Sequence, residues 1–208
     1  MLAMIRKEHA EKLVDYVRNG GVLLLTYYSG YANECDYMYL GGQPGPFREA
    51  AGLWVEEIDG IKPGASNSIR FDDGFECSVD FMCDVIRPET AGTVAVYLED
   101  SYRNTPCIMR NGFEQGTCLY VGAKPSKEGV DHILDGIAKE LDIRPVLRTE
   151  GRARASRRGK YLFVINHGEA EEHVDLGKAM WNILEEREQS AISLPANGYA
   201  ILIEKSEI

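Results

Sequence analysis

The sequence of 208 residues lacks the features that would assign it to several broad classes of protein. Its longest apolar run, VLLLTYY at 22–28, is far too short to span a bilayer. Its net charge of −10 would repel nucleic acid and anionic membranes. Its opening residues, MLAMIRKEHAEK, contain no apolar stretch of the kind that signal peptides carry. We therefore expect a cytoplasmic protein with neither nucleic acid nor a membrane as partner.

Cysteine and metal chemistry also find little support. The five cysteines form an odd set with no C-x-x-C spacing, which predicts buried, reduced thiols. An alternative is a stand-alone amidotransferase-like hydrolase that uses Cys35 or Cys118 as its nucleophile. Neither cysteine lies on a tight strand-to-helix turn, and the sequence context pairs neither with a histidine. No histidine or carboxylate cluster has metal-ligand spacing, so no metal and no cofactor are expected.

The first two thirds of the chain have the pattern of an α/β domain. Apolar residues on one face predict helices over 4–18 and about 126–141, and Gly20 with Gly21 should end the first. The run at 22–28 then predicts a strand buried on both faces, as in a parallel sheet. Further strands are predicted at 53–58, 77–86, 93–98, 106–111 and 117–123.

The last third of the chain differs in its charge and in its pattern of apolar residues. Six arginines lie within 144–158, and short apolar runs separated by turn residues such as Asn197 and Gly198 follow them. Residues 1–146 carry 14 basic against 23 acidic side chains, whereas residues 147–208 carry 9 against 10. We predict an α/β domain at 1–146 and a small antiparallel β domain at 147–208. Tyr161, Trp181 and Tyr199 leave open a carbohydrate-binding role for the second.

The order of the first elements is unusual for a parallel sheet, because a helix precedes the first strand. We therefore expect the chain to begin partway through a domain, with an incomplete sheet. The strand at 22–28 would then lie at an edge without a lysine, a proline or another protecting device. Such an edge predicts self-association, or pairing with a separate polypeptide that supplies the missing strands.

Three stretches carry a resemblance to a known family. They are GGVLLLTYYSGYANECDYMYLGGQPGPFREAAGLWVEEID at 20–59, RNTPCIMRNGFEQGTCLYVGAKPS at 103–126 and RASRRGKYLFVINHG at 154–168. In this order they resemble glycoside hydrolase family 42, the bacterial β-galactosidases. The resemblance covers the later part of that family's middle domain, which has a class I amidotransferase-like fold and mediates trimerisation, and its C-terminal β domain.

The resemblance implies a supporting role. In the family, two catalytic glutamates of a (β/α)8 barrel hydrolyse terminal β-galactosides with retention, and a barrel alone needs about 250 residues. No residue of this chain therefore inherits a catalytic role, and we expect the chain to be inactive alone. The implied partners are further copies, favouring a trimer, or a separate chain that carries the barrel.

The loop LGGQPGPFREAAG at 40–52 has a high density of glycine and proline, the residues that constrain a backbone most. Its glycines allow close backbone approach, its prolines stiffen it, and Pro46 suits the first turn of a short helix at 47–51. Preorganisation of this kind lowers the entropic cost of docking, although the loop could also pack only on its own domain. The candidate interface residues are Tyr28, Ser29, Gly30, Asn33, Asp36, Gly41, Gly42, Pro44, Gly45, Pro46 and Arg48.

Overall fold

The first helix of the computed structural model, which describes residues 2–149 and 151–204, runs from Lys7 to Arg18 (α1). It ends where the paired glycines predicted a stop, and Gly20 has a φ of +98°. The strand β1 (Val22–Thr26) follows directly. Ala10 and Val17 are the buried residues of α1, so one face of this amphipathic helix packs inward.

The chain divides into two units, residues 1–136 and 137–208. The first unit contains an eight-stranded sheet, a four-residue helix α2 (Arg48–Ala51) and most of α3 (Lys127–Glu140). After β1 its strands are β2 (Leu53–Gly60), β3 (Asn67–Phe71), β4 (Glu76–Pro88), β5 (Gly92–Tyr97), β6 (Pro106–Phe113), β7 (Gly116–Val121) and β8 (Ala123–Pro125).

The strand order is β1-β7-β6-β5-β3-β4-β2, and β8 pairs with β4. The pairing of β1 with β7, in the register Val22 to Thr117, is parallel, whereas the other ladders of this sheet are antiparallel. The sheet is therefore mixed, with its parallel pair where the apolar run predicted it. The expectation that β1 is buried on both faces is wrong: only Leu25 is buried, because β1 lies at the edge of the sheet.

The core of the first unit joins α1, α2 and the sheet. Its largest fully buried side chains include Tyr120 of β7, Phe47 and Leu25. Phe47 belongs to a short 3-10 helix (Gly45–Phe47) that leads into α2, so the short helix predicted at 47–51 is confirmed. This core fixes the end of β1 and the loop after it in one place.

The second unit is built on one antiparallel sheet of five strands in the order β12-β11-β13-β10-β9. Alternate residues point into its core, for example Leu162 and Val164 of β10. The predicted change from an α/β part to a separate antiparallel β part is confirmed. The strands are β9 (Ala153–Arg158), β10 (Tyr161–Asn166), β11 (Glu172–Asn182), β12 (Arg187–Leu194) and β13 (Tyr199–Ile203).

Candidate interface site

The candidate interface residues lie together, in the loop that follows β1 and in the first residue of α2. This segment, residues 27–47, is called the carboxyl loop below. The first residues of the chain tie it down: the Gly30 N–H donates to the Leu2 carbonyl at 2.9 Å, and the Ile5 N–H donates to the Ala32 carbonyl at 3.0 Å. The carboxyl end of β1, the start of α1 and the loop therefore form one surface region.

In the Tyr28-Ser29-Gly30 turn, one residue stabilises the backbone and another contributes to the surface. Ser29 is buried, and its Oγ accepts hydrogen bonds from the Thr26 N–H at 3.2 Å and the Leu2 N–H at 3.4 Å. Tyr28 is half-buried with a φ of +62°, and its ring meets those of Tyr27 and Tyr31 edge-on. Ser29 thus holds the turn, while the tyrosine rings form its surface.

Close contacts at Gly30 and Gly45 explain why the loop has glycine at these two positions. A methyl group at Gly30 would lie 2.1 Å from the Pro44 carbonyl oxygen, and one at Gly45 would lie 2.5 Å from the Gly30 carbonyl oxygen. Both residues also have a positive φ, of +66° and +53°. The two ends of the carboxyl loop therefore pass each other at a distance that no other residue type permits.

The outermost part of the loop, residues 33–40, is called the tip below. The Asn33 side-chain oxygen accepts hydrogen bonds from the N–H groups of Cys35 at 2.9 Å and Tyr37 at 3.0 Å, which closes the turn through Asp36. Apolar side chains project from this turn: Tyr37 is 71% exposed, Met38 62% and Leu40 100%. Exposed apolar groups on a hydrogen-bonded turn are typical of a contact surface.

Arg48 fastens the other end of the loop. Its guanidinium donates to the Gly41 carbonyl at 2.7 Å and to the carboxylate of Glu89, and it lies 5.6 Å from the ring of Trp54. The hydrogen bond to Arg48 lowers the pKa of Glu89. The neighbouring Gly42 has a φ of +88°. The contacts of Arg48 lie within its own unit, so it positions the loop.

A buried polar chain lies beneath the loop. The Gln43 amide donates to the Tyr120 hydroxyl at 3.2 Å, and that hydroxyl donates to Oδ2 of Asp84 at 2.7 Å. Asp84 is 0% exposed, and burial raises its pKa to about 7. Oε1 of Gln43 and Oδ1 of Asp84 have no hydrogen-bond partner among the described residues. A protonated Asp84 would bring a donor to this cluster, which is short of donors.

Sequence reasoning missed this chain of residues. Its members come from the carboxyl loop, β4 and β7, and 77 positions separate Gln43 from Tyr120. One signal was available: Asp84 is an acidic residue inside the apolar run FMCDVI of a predicted strand. Acidic residues in such runs are unusual and call for a partner.

Two recesses border the carboxyl loop. The larger, about 520 Å³, is called the α1 groove; its lining is largely apolar. The smaller, about 370 Å³, lies on the side of Gln43 and Val55. The α1 groove is lined by Leu2, Met4, Ile5, Arg6, His9, Lys12, Leu13 and Glu34.

Phe81 of β4 is a further feature that the sequence did not indicate. It has a φ of +70° at an irregularity in the pairing of β4 with β8, and it is 54% exposed. Its ring lies 6.1 Å from that of Tyr27. Bulky residues rarely adopt this conformation, which costs on the order of 1 kcal/mol. The exposed ring extends the aromatic surface of the Tyr28 turn.

The alternative of a cysteine nucleophile is not favoured. Cys118 is fully buried in the middle of β7, and burial raises the pKa of its thiol to about 12, which disfavours the reactive thiolate. Cys35 is exposed at the tip, and its backbone N–H bonds Asn33. All five thiols are free; Cys83 and Cys107 are also buried, as predicted for structural cysteines, whereas Cys35 and Cys77 are not.

Tyr161, Trp181 and Tyr199 lie at two separate places on one face of the second sheet. Tyr161 and Trp181 both lie opposite Ile203, on either side of β13, so their side chains share a face of the sheet. Tyr199 lies opposite Ile165, four residues away along β13. The carbohydrate-binding alternative gains no specific observation from this placement.

Comparison with known proteins identifies the family. The model of the β-galactosidase trimerisation domain matches residues 1–144, and that of the β-galactosidase C-terminal domain matches residues 148–204. The chain belongs to glycoside hydrolase family 42. The resemblance seen in the sequence is thereby confirmed. Within the described residues, no helix is both long and apolar enough to cross a membrane.

Individual members of the family give the same result. The β-galactosidase BgaP of Planococcus sp. strain L4 is 33% identical over 97% of this chain, which covers 32% of that protein. The crystal structure of the β-galactosidase from Bacillus circulans sp. alkalophilus has a TM-score of 0.87 and 33% identity over 98% of this chain. A catalytic mutant of Gan42B, a GH42 β-galactosidase from G. stearothermophilus, has a TM-score of 0.84 and 27% identity. The chain spans about a third of the length of these relatives.

Proposed function

We propose that this chain is the non-catalytic oligomerisation and support portion of a β-galactosidase-like glycoside hydrolase. The match of residues 1–144 to the trimerisation domain carries the proposal. The exposed tip, the apolar α1 groove and the aromatic turn at Tyr28 lie in that part of the chain and supply surface for association. The hydrolysis of terminal β-galactosides belongs, in this proposal, to two glutamates of a barrel elsewhere in the assembly.

The assembly that we propose is a homotrimer in the cytoplasm, where the five free thiols stay reduced. Static light scattering over a dilution series from about 1 to 100 μM tests it. We expect the mass of three chains at the upper end. A single monomeric species at every concentration would contradict the proposal.

The candidate interface residues divide into two groups in this proposal. Ser29, Gly30, Gly45 and Arg48 shape and fasten the carboxyl loop, since their contacts lie inside the unit. The remaining candidates border the exposed surface or set its backbone path. They are Tyr28, Asn33, Asp36, Gly41, Gly42, Pro44 and Pro46.

A separate polypeptide is the second candidate partner, and the position of β1 favours it. Among the described strands, β1 pairs only with β7, so its other edge offers backbone groups to a further strand. VLLLT carries no charge that would discourage such pairing. A chain that stays monomeric alone, but binds the separately produced barrel part of a family member, would favour this partner over the homotrimer.

The absence of catalysis is also part of the proposal. Incubation with a chromogenic β-galactoside should give no turnover above background at any protein concentration tested. Turnover that disappears in Cys35→Ser or Cys118→Ser would support the hydrolase alternative and overturn this proposal.

We place the boundary between the two parts after residue 146. The family models support this placement, since one match ends at 144 and the other begins at 148, whereas the division of the structure into two compact units falls earlier, within α3 at residues 136 and 137. Limited proteolysis with mass spectrometry tests it, because exposed linkers are cleaved first. Initial cuts confined to about 141–152 are expected, whereas initial cuts within β4 or β11 would contradict the boundary.

A further inference from the structure

The tip presents an apolar surface that its own unit does not cover. Tyr37, Met38 and Leu40 are largely or fully exposed; Asn33 closes the turn that ends at Tyr37, and Met38 and Leu40 follow it. Large apolar side chains on a preorganised turn associate at low entropic cost, because little freedom remains to be lost. The tip therefore has the properties of a segment that inserts into a recess of a partner.

The α1 groove has the properties of a receiving half. Its floor is apolar, formed by Leu2, Met4, Ile5 and Leu13, and its volume of about 520 Å³ has room for large side chains. Arg6, His9 and Lys12 line it as well. Apolar recesses with a charged border are typical of the centre and rim of an interface.

The charges of the two surfaces are complementary. The tip carries Glu34 and Asp36, whereas the basic side chains of Arg6 and Lys12 line the groove. This is notable in a chain whose net charge is −10, since most surfaces of two copies would repel each other. Glu34 also stands at the groove itself, so tip and groove are neighbouring patches of one unit.

Symmetry makes a second copy the fitting occupant. In a ring of three identical chains, each contact joins two different patches, and every copy supplies both. Neighbouring patches suit such a ring, because three copies can then meet close to the axis. A tip and a groove of matching chemistry, side by side in a trimerisation domain, satisfy this requirement.

We propose that the tip of one copy, residues 33–40, docks in the α1 groove of the next copy around the ring. This proposal rests on the proposed function, because it assumes assembly of identical chains. It adds which two surfaces meet: Leu40, Tyr37 and Met38 enter the apolar groove. The acidic residues of the tip then face Lys12 and Arg6.

Cross-linking between tagged copies tests the contact directly. One copy keeps the natural Cys35 at the tip, and the other carries Lys12→Cys in the groove together with Cys35→Ser. Mixed at 50 μM and treated with a short bismaleimide, the two copies should give a product that contains both tags. Because the two reactive thiols are on different chains, no reaction within one chain can imitate this product.

Two controls make the result decisive. Replacing the groove variant by Lys62→Cys with Cys35→Ser moves the thiol to another exposed lysine, and the mixed product should fall at least tenfold. Two copies that both carry Cys35→Ser should give no mixed product. This control shows whether the partly exposed Cys77 contributes to the cross-linking. Equal yields from Lys12→Cys and Lys62→Cys would overturn the tip-to-groove contact.

Assembly measurements separate this contact from the trimer as such. Leu40→Ser should raise the dissociation constant of the trimer by about tenfold or more, whereas Leu184→Ser, at an exposed leucine of the second unit, should leave it unchanged. An intact trimer with Leu40→Ser would sink the contact and leave the proposed function standing. A natural chain that is monomeric throughout would instead overturn the proposed homotrimer, and this contact with it.

A charge exchange provides a further check. Lys12→Glu should weaken assembly by about two- to fivefold, and adding Asp36→Lys in the same chain should restore it, since each copy supplies one partner of every pair. Failure of the double variant to assemble better than Lys12→Glu would count against the proposed orientation.

Discussion

The two sheets of this chain have edges of opposite character. β1, at the edge of the first sheet, consists of VLLLT and carries no charge. β9, at the edge of the second, consists of ARASRR and carries three arginines. Charged side chains at an edge prevent unwanted strand pairing. The comparison shows that the β9 edge is protected against strand pairing, whereas the β1 edge is left open to it.

Buried polar residues show the same contrast. Asn166 of the second unit is fully buried, and its amide donates to the carbonyls of Ala170, Leu194 and Pro195, while its oxygen accepts from Gly168. Asp84 of the first unit is equally buried, but one of its oxygens has no partner among the described residues. Among the described residues, the three buried side-chain polar atoms without a hydrogen-bond partner all belong to the first unit: Thr26 Oγ1, Gln43 Oε1 and Asp84 Oδ1.

Asp84→Asn should have the largest effect, because it removes a buried carboxylate that has an oxygen without a hydrogen-bond partner among the described residues. The folded state favours the neutral acid, since burial raises the pKa from 3.8 to about 7. Stability from this group is fully present below pH 3.8 and is lost as the pH rises through about 7. The asparagine should therefore stabilise the chain by about 4 kcal/mol at pH 8 and by little at pH 4.

Urea unfolding at pH 4, 6 and 8 measures this effect. Asp80→Asn is the matched control, because Asp80 is an exposed residue of the same strand, paired with Lys124. It should show neither the gain nor the change with pH. An Asp84→Asn variant whose advantage is the same at pH 4 and pH 8 would show that burial does not raise the pKa of Asp84 in the folded state.

Asn166→Ala should have the next largest effect, with the opposite sign. It removes four hydrogen bonds, although the Pro195 carbonyl keeps the one from the Gly198 N–H at 2.8 Å; buried groups that lose their partner each cost about 1–3 kcal/mol. We expect a loss of about 3 kcal/mol or more in the free energy of unfolding of the second unit. Ser156→Ala, an exposed position in the same sheet, should change it by less than about 0.5 kcal/mol. A loss of similar size in both variants would show that the network is not what stabilises this unit.

Removing two of the three charges of β9 should make the second edge more like the first. Arg154→Val with Arg158→Val leaves Arg157 as the one charge of this strand, and we expect association to rise about fivefold, equivalent to about 1 kcal/mol. Arg144→Val with Arg148→Val removes the same charge outside the strands and is the control. Light scattering of both variants beside the natural chain measures the difference; no excess association over the control would mean that net charge alone, and not edge protection, sets solubility.

The smallest effect is expected at Phe81, the bulky residue with a positive φ. Phe81→Gly should be more stable than Phe81→Ala by about 0.5–1 kcal/mol, because both lose the ring but only glycine adopts this conformation without strain. The same pair of substitutions at Glu76, the exposed first residue of β4, should rank in the opposite order. If alanine is the better residue at both positions, the backbone at Phe81 is not strained in solution.

Much of the fold could be predicted because its signals are local. Helical periodicity marks α1 and α3, β-branched and apolar runs mark most strands, and Gly20 ends the first helix. β3 was missed, since NSIRF is short and alternates polar with apolar residues within a Gly- and Asp-rich stretch. The amidotransferase-like label, which came from the resemblance, is not confirmed, since the sheet has a single parallel pair among mostly antiparallel ladders.

The candidate site was predictable only as a stretch of sequence. The glycines and prolines of 40–46 predicted a loop with a constrained backbone, and the resemblance indicated an interface. That Gly30 meets Gly45, and that Gln43 reaches Tyr120 and Asp84, follows from how the loop returns over the sheet. Such contacts join residues far apart in the chain, and no local pattern encodes which of them will meet.

The sequence by itself therefore determined the two parts, the open apolar edge of β1 and the membership in a family, because each depends on residue pattern. The tertiary structure alone decided which side chains stay exposed and which polar groups are buried. Burial is a property of what packs against a residue, so Leu40 lies fully in solvent and Asp84 lies fully in the core although their local sequences did not require it.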